Sequence, residues 1–398
     1  MKAFLATTMA AALALAVSVP TPVNAQGKEL KVGMVLPFSQ VFAVYGEAIM
    51  EGFTLAVEEA GGQAGGKKIV ILKEDDKNDP KAALQIVRKF VKDENVDFLV
   101  GPIASHLAAA IRDDVHRAKT FLLVPNAGDN EITGKICSPY IVRTSFSNWQ
   151  INYPMGLYAA ENVGKSALTV SANYVAGREM AGAFRQGFIE KGGRAPQEEW
   201  PALGTADFSP IITNVRAKQA EIDMVWSFMP GASTPRFINQ MSQSGVRGPK
   251  LKLNGPVFMA DELFFNAMGD SAIGVLGSGH YVASLDTPRN LAFQARFQKR
   301  YNKVAHVIHV QGYDTAKLML ATVDALKGDL RDKDKVRKTL TTIQVDSPRG
   351  YFRLDPKTGN VVQNVYITEV IKRADGTLGH KVLKTYDQVS DKGEGCTL

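Results

Sequence analysis

The side chains best placed to recognise a ligand lie in short segments that each follow an apolar, strand-like run. After Leu30–Leu36 comes a loop carrying Phe42 and Tyr45, and after Val96–Val100 comes Gly101-Pro-Ile-Ala-Ser105. After Phe121–Val124 comes Pro125-Asn126-Ala127-Gly128-Asp129. The later half repeats the arrangement with Tyr174 in Asn173–Gly177, with Met229-Pro230-Gly231 and with Gly255-Pro-Val-Phe258. Ser105 reads as the N-cap of a helix over Ser105–Ala118, where a hydroxyl, free backbone N–H groups and the helix dipole together favour an anion; its alternative is a plain cap. The backbone of Asn126, Ala127 and Gly128 can add donors, because Gly128 permits close approach; the alternative is an ordinary turn. Phe42, Tyr45, Tyr174 and Phe258 make an apolar box for a ligand body, or else are core residues. These segments hold small and aromatic residues and almost no titratable groups, which suits binding and not bond-making.

Signals of catalysis or metal binding fail one by one. Gly61-xxxx-Gly66-Lys67 approximates a phosphate loop, but Lys68 stands where Ser or Thr is needed and the segment runs from helix to strand, the reverse of the required order. His306 and His309 lack a third ligand nearby, so packing explains them better than a metal does. No Gly-x-Ser-x-Gly elbow exists. Asp75-Asp76 and Asp113-Asp114 read as solvated or capping carboxylates. The expectation is a protein with no catalytic centre, no cofactor and no metal.

The elements that must carry these loops alternate. Strands are expected at Leu30–Leu36, Lys68–Lys73, Val96–Val100 and Phe121–Val124. Helices over Glu47–Ala60, Pro80–Asp93 and Ser105–Ala118 fall between them. A second series has strands at Ala167–Val170, Met224–Phe228, Leu251–Leu253 and Val275–Gly277. Its helices are expected at Arg178–Lys191, Ile211–Lys218, Pro235–Ser244 and Asp261–Met268. Alternation of this kind means βαβ units and parallel sheets, an α/β protein. Helices return at Asn290–Tyr301, Gln311–Leu326 and Lys333–Leu340. The chain then ends in antiparallel strands at Gly350–Leu354, Val362–Ile371 and Lys381–Tyr386, joined through Asp355–Gly359 and Ala374–Gly376.

The bulk numbers fit this plan. The chain has 398 residues, of which 45% are hydrophobic and 22% charged, a globular composition long enough for two domains. Lys2, the apolar Ala10–Val19 and the small-x-small site Val23-Asn24-Ala25 form a secretory signal peptide over 1–25, with the mature chain starting at Gln26. No cysteine follows the apolar run, so no lipid anchor is expected. The net charge of +7 falls to +6 with the loss of Lys2. Basic and acidic residues interleave, giving no stripe for nucleic acid. Export permits a disulfide between Cys137 and Cys396, which would tie the C-terminal tail to the first domain; the alternative is two unpaired thiols.

Several runs together resemble the periplasmic solute-binding proteins of ABC transporters, of the branched-chain amino acid type. They are Lys31-Val-Gly-Met-Val-Leu-Pro-Phe-Ser39 with Tyr45-Gly46, Asp75-Asp76…Asn78-Asp79-Pro80, Val100-Gly-Pro…Ser105, Pro125-Asn-Ala-Gly128, Asp207-Phe-Ser209 and Gln311-Gly-Tyr-Asp314. The resemblance implies two Rossmann-like lobes, the type I periplasmic binding protein fold. Three crossovers would join them near Arg143–Asn148, Gly279–Ser284 and Ser347–Phe352. The N-terminal lobe is then 26–145 with 282–347, the C-terminal lobe 146–281 with 348–385, and 386–398 a tail. It implies a periplasmic, monomeric receptor that closes on a small-molecule carboxylate and delivers it to membrane permease and ATPase subunits. Ser105, Asn126 and Gly128 would hold the carboxylate, and Tyr45 would line the pocket. Amino acid binders of this type place a second-lobe carboxylate on the ligand ammonium. Here the matching loop has no acid before Asp261, and Met229 begins the loop matching a second-lobe tyrosine. An apolar carboxylate without an amine is therefore favoured. The runs Cys137-Ser-Pro-Tyr140…Arg143-Thr-Ser145 and Leu203–Pro210 are similar to members thought to bind aromatic acids. A branched-chain or aromatic amino acid is the alternative, if the loop bends Asp261 inward.

Overall fold

The computed structural model describes residues 29–246 and 251–398; the expected signal peptide lies outside them. Strands β1 (Glu29–Leu36), β2 (Gln63–Ala64), β3 (Lys67–Asp75), β4 (Phe98–Val100), β5 (Phe121–Val124) and β6 (Ile141–Arg143) form one sheet in the order β2-β3-β1-β4-β5-β6. All its pairings are parallel except that of β2 with β3. Helices α1 (Ala43–Glu59), α2 (Pro80–Lys92) and α3 (Ser105–Ala118) connect the strands. Their ends follow from local chemistry. In α2 the Asp79 carboxylate accepts from the N–H groups of Lys81 (2.6 Å) and Ala82 (3.2 Å), Pro80 occupies the first turn, and Ala83, Ile86, Val87 and Phe90 turn inward.

The chain leaves this sheet after Arg143 and enters α4 (Asn148–Asn162). There follow β7 (Ser166–Ser171), α5 (Val175–Glu190), β8 (Arg194–Glu199), α6 (Ser209–Lys218), β9 (Met224–Phe228), α7 (Ser233–Gln243), β10 (Lys252–Pro256), the single-turn α8 (Phe265–Met268) and β11 (Leu276–Gly279). It returns with α9 (Pro288–Tyr301), whose Arg296 and Arg300 pair with Glu59 and Glu58 of α1. It continues through α10 (Val307–Ala325), which packs on α1, and α11 (Lys333–Thr342). It passes back through β12 (Val345–Ser347) to β13 (Gly350–Leu354), β14 (Val361–Lys372) and β15 (Leu378–Ser390). The second sheet runs β12-β13-β14-β11-β10-β9-β7-β8, with β15 beside β14; it is parallel from β8 to β11 and antiparallel beyond.

Three differences from the sequence reading have physical causes. Helix α4 gave no amphipathic stripe, because it buries Asn148, Gln150 and Asn152 along with Ile151 and Met155, and it carries Pro154 internally. Strand β8 is an edge strand of charged residues around Pro196, which a sheet tolerates only at its margin. The helix expected over Asp261–Met268 is broken into a 3-10 turn, Glu262–Phe264, and α8, because Asp261 is extended and caps that turn.

The fold also joins Cys137, in the loop before β6, to Cys396 in the tail, with Cα atoms 5.6 Å apart across 259 residues of sequence. No helix among the described residues is long and apolar enough to cross a membrane.

Candidate ligand site between the two sheets

The loops at the C-terminal edges of the two sheets meet around a cavity. Phe42, Tyr45, Ser105, Asn126, Gly128, Tyr174 and Phe258 all line it. So do Ile103, Phe146, Asn148, Ala176, Met180, Phe228 and Pro230, which the sequence reading did not single out. Phe228 is the last residue of β9, and Ile103 and Pro230 lie in strand-end loops, so the strand-end rule extended by a residue reaches all three. Phe146 and Asn148 lie where the chain first passes between the sheets and carry no local signal.

The aromatic rings form one connected wall. Phe42 lies 6.2 Å from Tyr45 and 6.5 Å from Tyr174, Tyr174 stacks on Phe228 at 6.2 Å, and Phe258 lies 6.4 Å from Phe228 and 5.2 Å from Phe146. Polar residues complete the lining. Ser105 is buried in the first turn of α3, where the leading N–H groups have no acceptor within the helix. Asn126 donates to Gln311 Oε1 at 2.7 Å. Gly128 must be glycine, since an added Cβ would collide with the Asn148 side chain and the Phe146 ring. No charged residue belongs to this lining among the described residues.

Four residues are placed differently from the sequence reading. Ser105 is not the N-cap: Ala104 is, with extended backbone, and Ser105 is the first helical residue, its hydroxyl making no capping bond. Ala127 is buried behind the lining and its N–H already donates to the Pro102 carbonyl at 3.2 Å. Met229 also lies off the cavity; its N–H meets Met259 Sδ at 3.0 Å and its carbonyl accepts from the Thr234 hydroxyl. Asp261 is fully buried outside the lining, accepting from the Leu263 N–H at 3.0 Å and lying 3.3 Å from His306 Nδ1. Burial pushes its carboxyl well above the usual range.

The polar groups just outside the cavity are ordered around Asn148. Its N–H donates to the Gly128 carbonyl at 2.7 Å, and its Nδ2 reaches Ser105 Oγ at 3.2 Å and Glu179 Oε2 at 2.6 Å. Glu179 also accepts from the Asn130 N–H and shares a hydrogen bond with Asp129. Burial first, and the neighbouring Asp129 second, push the Glu179 carboxyl up to about 8. Two carboxyls in contact hold one proton between them. Across the mouth, Gly231 N–H donates to the Tyr45 hydroxyl at 3.2 Å and Ala232 N–H to the Val41 carbonyl at 3.4 Å, so loops from both sheets touch.

The other candidate groups are structural. Asp75 holds the β1–α1 loop by accepting from the Phe38 N–H at 2.9 Å. Asp76, expected at the surface or as a cap, is buried and accepts from the Asn78 N–H at 2.8 Å; burial raises it to about 6. Asp114 pairs with Arg88 and Arg117. His309 lies 2.9 Å from Glu51 Oε2 and accepts from the His306 N–H at 3.1 Å.

Two α/β units with a cavity lined by aromatic and polar residues between their strand ends define the class, and sequence comparison agrees. The profile of the family described as periplasmic binding protein matches residues 29–377, and this chain belongs to that family. It is 32% identical to a solute-binding protein of an ABC transporter from R. palustris, solved in complex with benzoate (TM-score 0.87, covering 93% of this chain and 100% of that one). It is 29% identical to another, from Rhodopseudomonas palustris BisB5 in complex with 3,4-dihydroxybenzoic acid (TM-score 0.87, 92% and 99%). A Leu/Ile/Val-binding protein homolog 6 of Brucella melitensis is 29% identical over 368 residues, 92% of this chain and 93% of that one.

Proposed function

We propose that this chain is the periplasmic substrate-binding component of an ABC importer and that it captures an aromatic carboxylate. The observation that carries the reading is the lining of the cavity: six aromatic side chains, the polar Ser105, Asn126 and Asn148 with Gly128, and no charged side chain among the described residues. A ring buries its faces against Phe42, Tyr174, Phe228 and Phe258. Its carboxylate accepts from the Ser105 hydroxyl and from the N–H groups opening α3, where the helix dipole favours negative charge. The complexes of the R. palustris relatives with benzoate and 3,4-dihydroxybenzoic acid support the same class of ligand.

The relative's Leu/Ile/Val-binding name favours an amino acid instead. That ligand brings an ammonium, which is costly to bury unpaired, and Asp261 lies outside the cavity lining, one carboxyl oxygen accepting from the Leu263 N–H. Within this reading the protein has no reaction to catalyse. The 1–25 segment exports it, two lobes divided near Arg143–Asn148, Gly279–Ser284 and Ser347–Phe352 close over the ligand, and the closed monomer hands it to permease and ATPase subunits. A thermal-shift panel of aromatic acids against leucine, isoleucine, valine and phenylalanine tests the reading, because a ligand of the folded state raises its melting point. The expected outcome is a shift with benzoate or a hydroxybenzoate and none with the amino acids; the reverse pattern would replace the carboxylate reading with the amino acid one.

A further inference from the structure

We infer that Asn148, held by Glu179, sets the Ser105 hydroxyl as a hydrogen-bond donor toward the cavity, and so makes the pocket select a carboxylate over the isosteric carboxamide. The inference rests on the reading of the cavity as a carboxylate site and assigns Asn148 and Glu179 as positioning residues within it.

Asn148 opens α4, directly after the first passage between the sheets, and is fully buried. Its backbone is pinned by the bond from its N–H to the Gly128 carbonyl. The side-chain amide has two hydrogens on Nδ2, and both are used: one on Glu179 Oε2 at 2.6 Å, the other on Ser105 Oγ at 3.2 Å. Glu179, on α5, removes the freedom to reverse the amide. Its Oε2 takes both the Asn148 amide and the Asn130 N–H, so a reversed amide would set Asn148 Oδ1 against an oxygen already serving as acceptor. In the observed orientation Asn148 Oδ1 is packed against Gly128, where an added Cβ would strike it.

The consequence falls on Ser105. A hydroxyl has one proton to give and lone pairs to accept with. Its oxygen already accepts from Asn148, and among the described residues no acceptor takes its proton. The proton is therefore available to the ligand. Together with the donor-only N–H groups opening α3, it presents a donor surface to the group bound there. Both oxygens of a carboxylate satisfy that surface. The NH₂ of a carboxamide faces donors, and a buried donor left without an acceptor is penalised.

The probes are benzoate and benzamide, which share shape and differ in this group. In wild type, benzoate should bind more tightly than benzamide, by about tenfold or more. Asn148→Leu frees the Ser105 hydroxyl to turn and accept, so the benzoate-to-benzamide ratio should narrow by about tenfold. Glu179→Met, at a partly exposed position, releases the amide and should narrow the ratio in the same direction, which keeps the test available if Asn148→Leu does not fold. In a Ser105→Ala background neither change should move the ratio further, since the effect passes through that hydroxyl. Equal weakening of both ligands, with the ratio unchanged, would overturn the inference while leaving the carboxylate site standing. Failure of wild type to bind benzoate would overturn the functional reading and this inference with it.

Discussion

At the scale of single residues, the account makes Ser105 the strongest point contact with the ligand. Ser105→Ala removes a hydrogen bond to a charged group and should weaken benzoate binding by about 1–3 kcal/mol. Calorimetric titration checks this, and an unchanged affinity would remove Ser105 from the site. Glu179 yields a prediction about pH. Its folded-state value lies above the ordinary one, raised by burial and then by Asp129, so the folded chain keeps a proton that the unfolded chain releases. That contribution to stability is complete below the ordinary value of 4.5 and is lost as pH rises through about 8. Wild type should therefore lose melting temperature between about pH 4.5 and 8, and Glu179→Gln, which cannot ionise, should lose less. Parallel pH slopes for the two proteins would contradict the assignment. The residues legible in the sequence were those in loops after apolar runs: Phe42, Tyr45, Ser105, Asn126, Gly128, Tyr174 and Phe258. Asn148 was not legible, because its partners Ser105 and Glu179 lie 43 and 31 residues away in sequence and only the fold brings them together.

At the scale of elements, periodicity located what was amphipathic or uniformly apolar. β5, β9, β13 and α3 have the boundaries their residues suggested. What stayed hidden was an element whose polar face is buried, α4, and an edge strand with a charged sequence, β8. The loop after β9 is where the proposed closure would bring the two sheet edges together. Gly231 has a φ of +57°, and an added Cβ would collide with the Val41 carbonyl of the opposite loop. Gly231→Ala should therefore lower ligand affinity by obstructing contact between the two edges. The unliganded melting point should fall as well, since alanine is strained at this φ. Calorimetric titration and a thermal melt check the two halves of that outcome, and an unchanged affinity would show that closure does not need the Tyr45–Gly231 approach.

At the scale of the whole molecule, alternating strands and helices followed by antiparallel strands foreshadowed two mostly parallel sheets with a mixed margin on the second. Sequence alone left the cysteines open between a pair and two thiols, because pairing depends on where the tail returns. The fold brings Cys396 to the loop before β6. Replacing both Cys137 and Cys396 by Ser should cost about 2–4 kcal/mol of stability through a less constrained unfolded chain, read from the denaturant midpoint. Ligand affinity should hold, because neither residue belongs to the cavity lining. A large loss of affinity in that variant would mean that the tail shapes the cavity after all.

The most direct test of the central claim is an isothermal titration of the mature chain, unfolded and refolded to strip any bound ligand, with benzoate and in parallel with leucine. The account predicts saturable one-to-one binding of benzoate and no heat with leucine. Saturable binding of leucine with none of benzoate would contradict it.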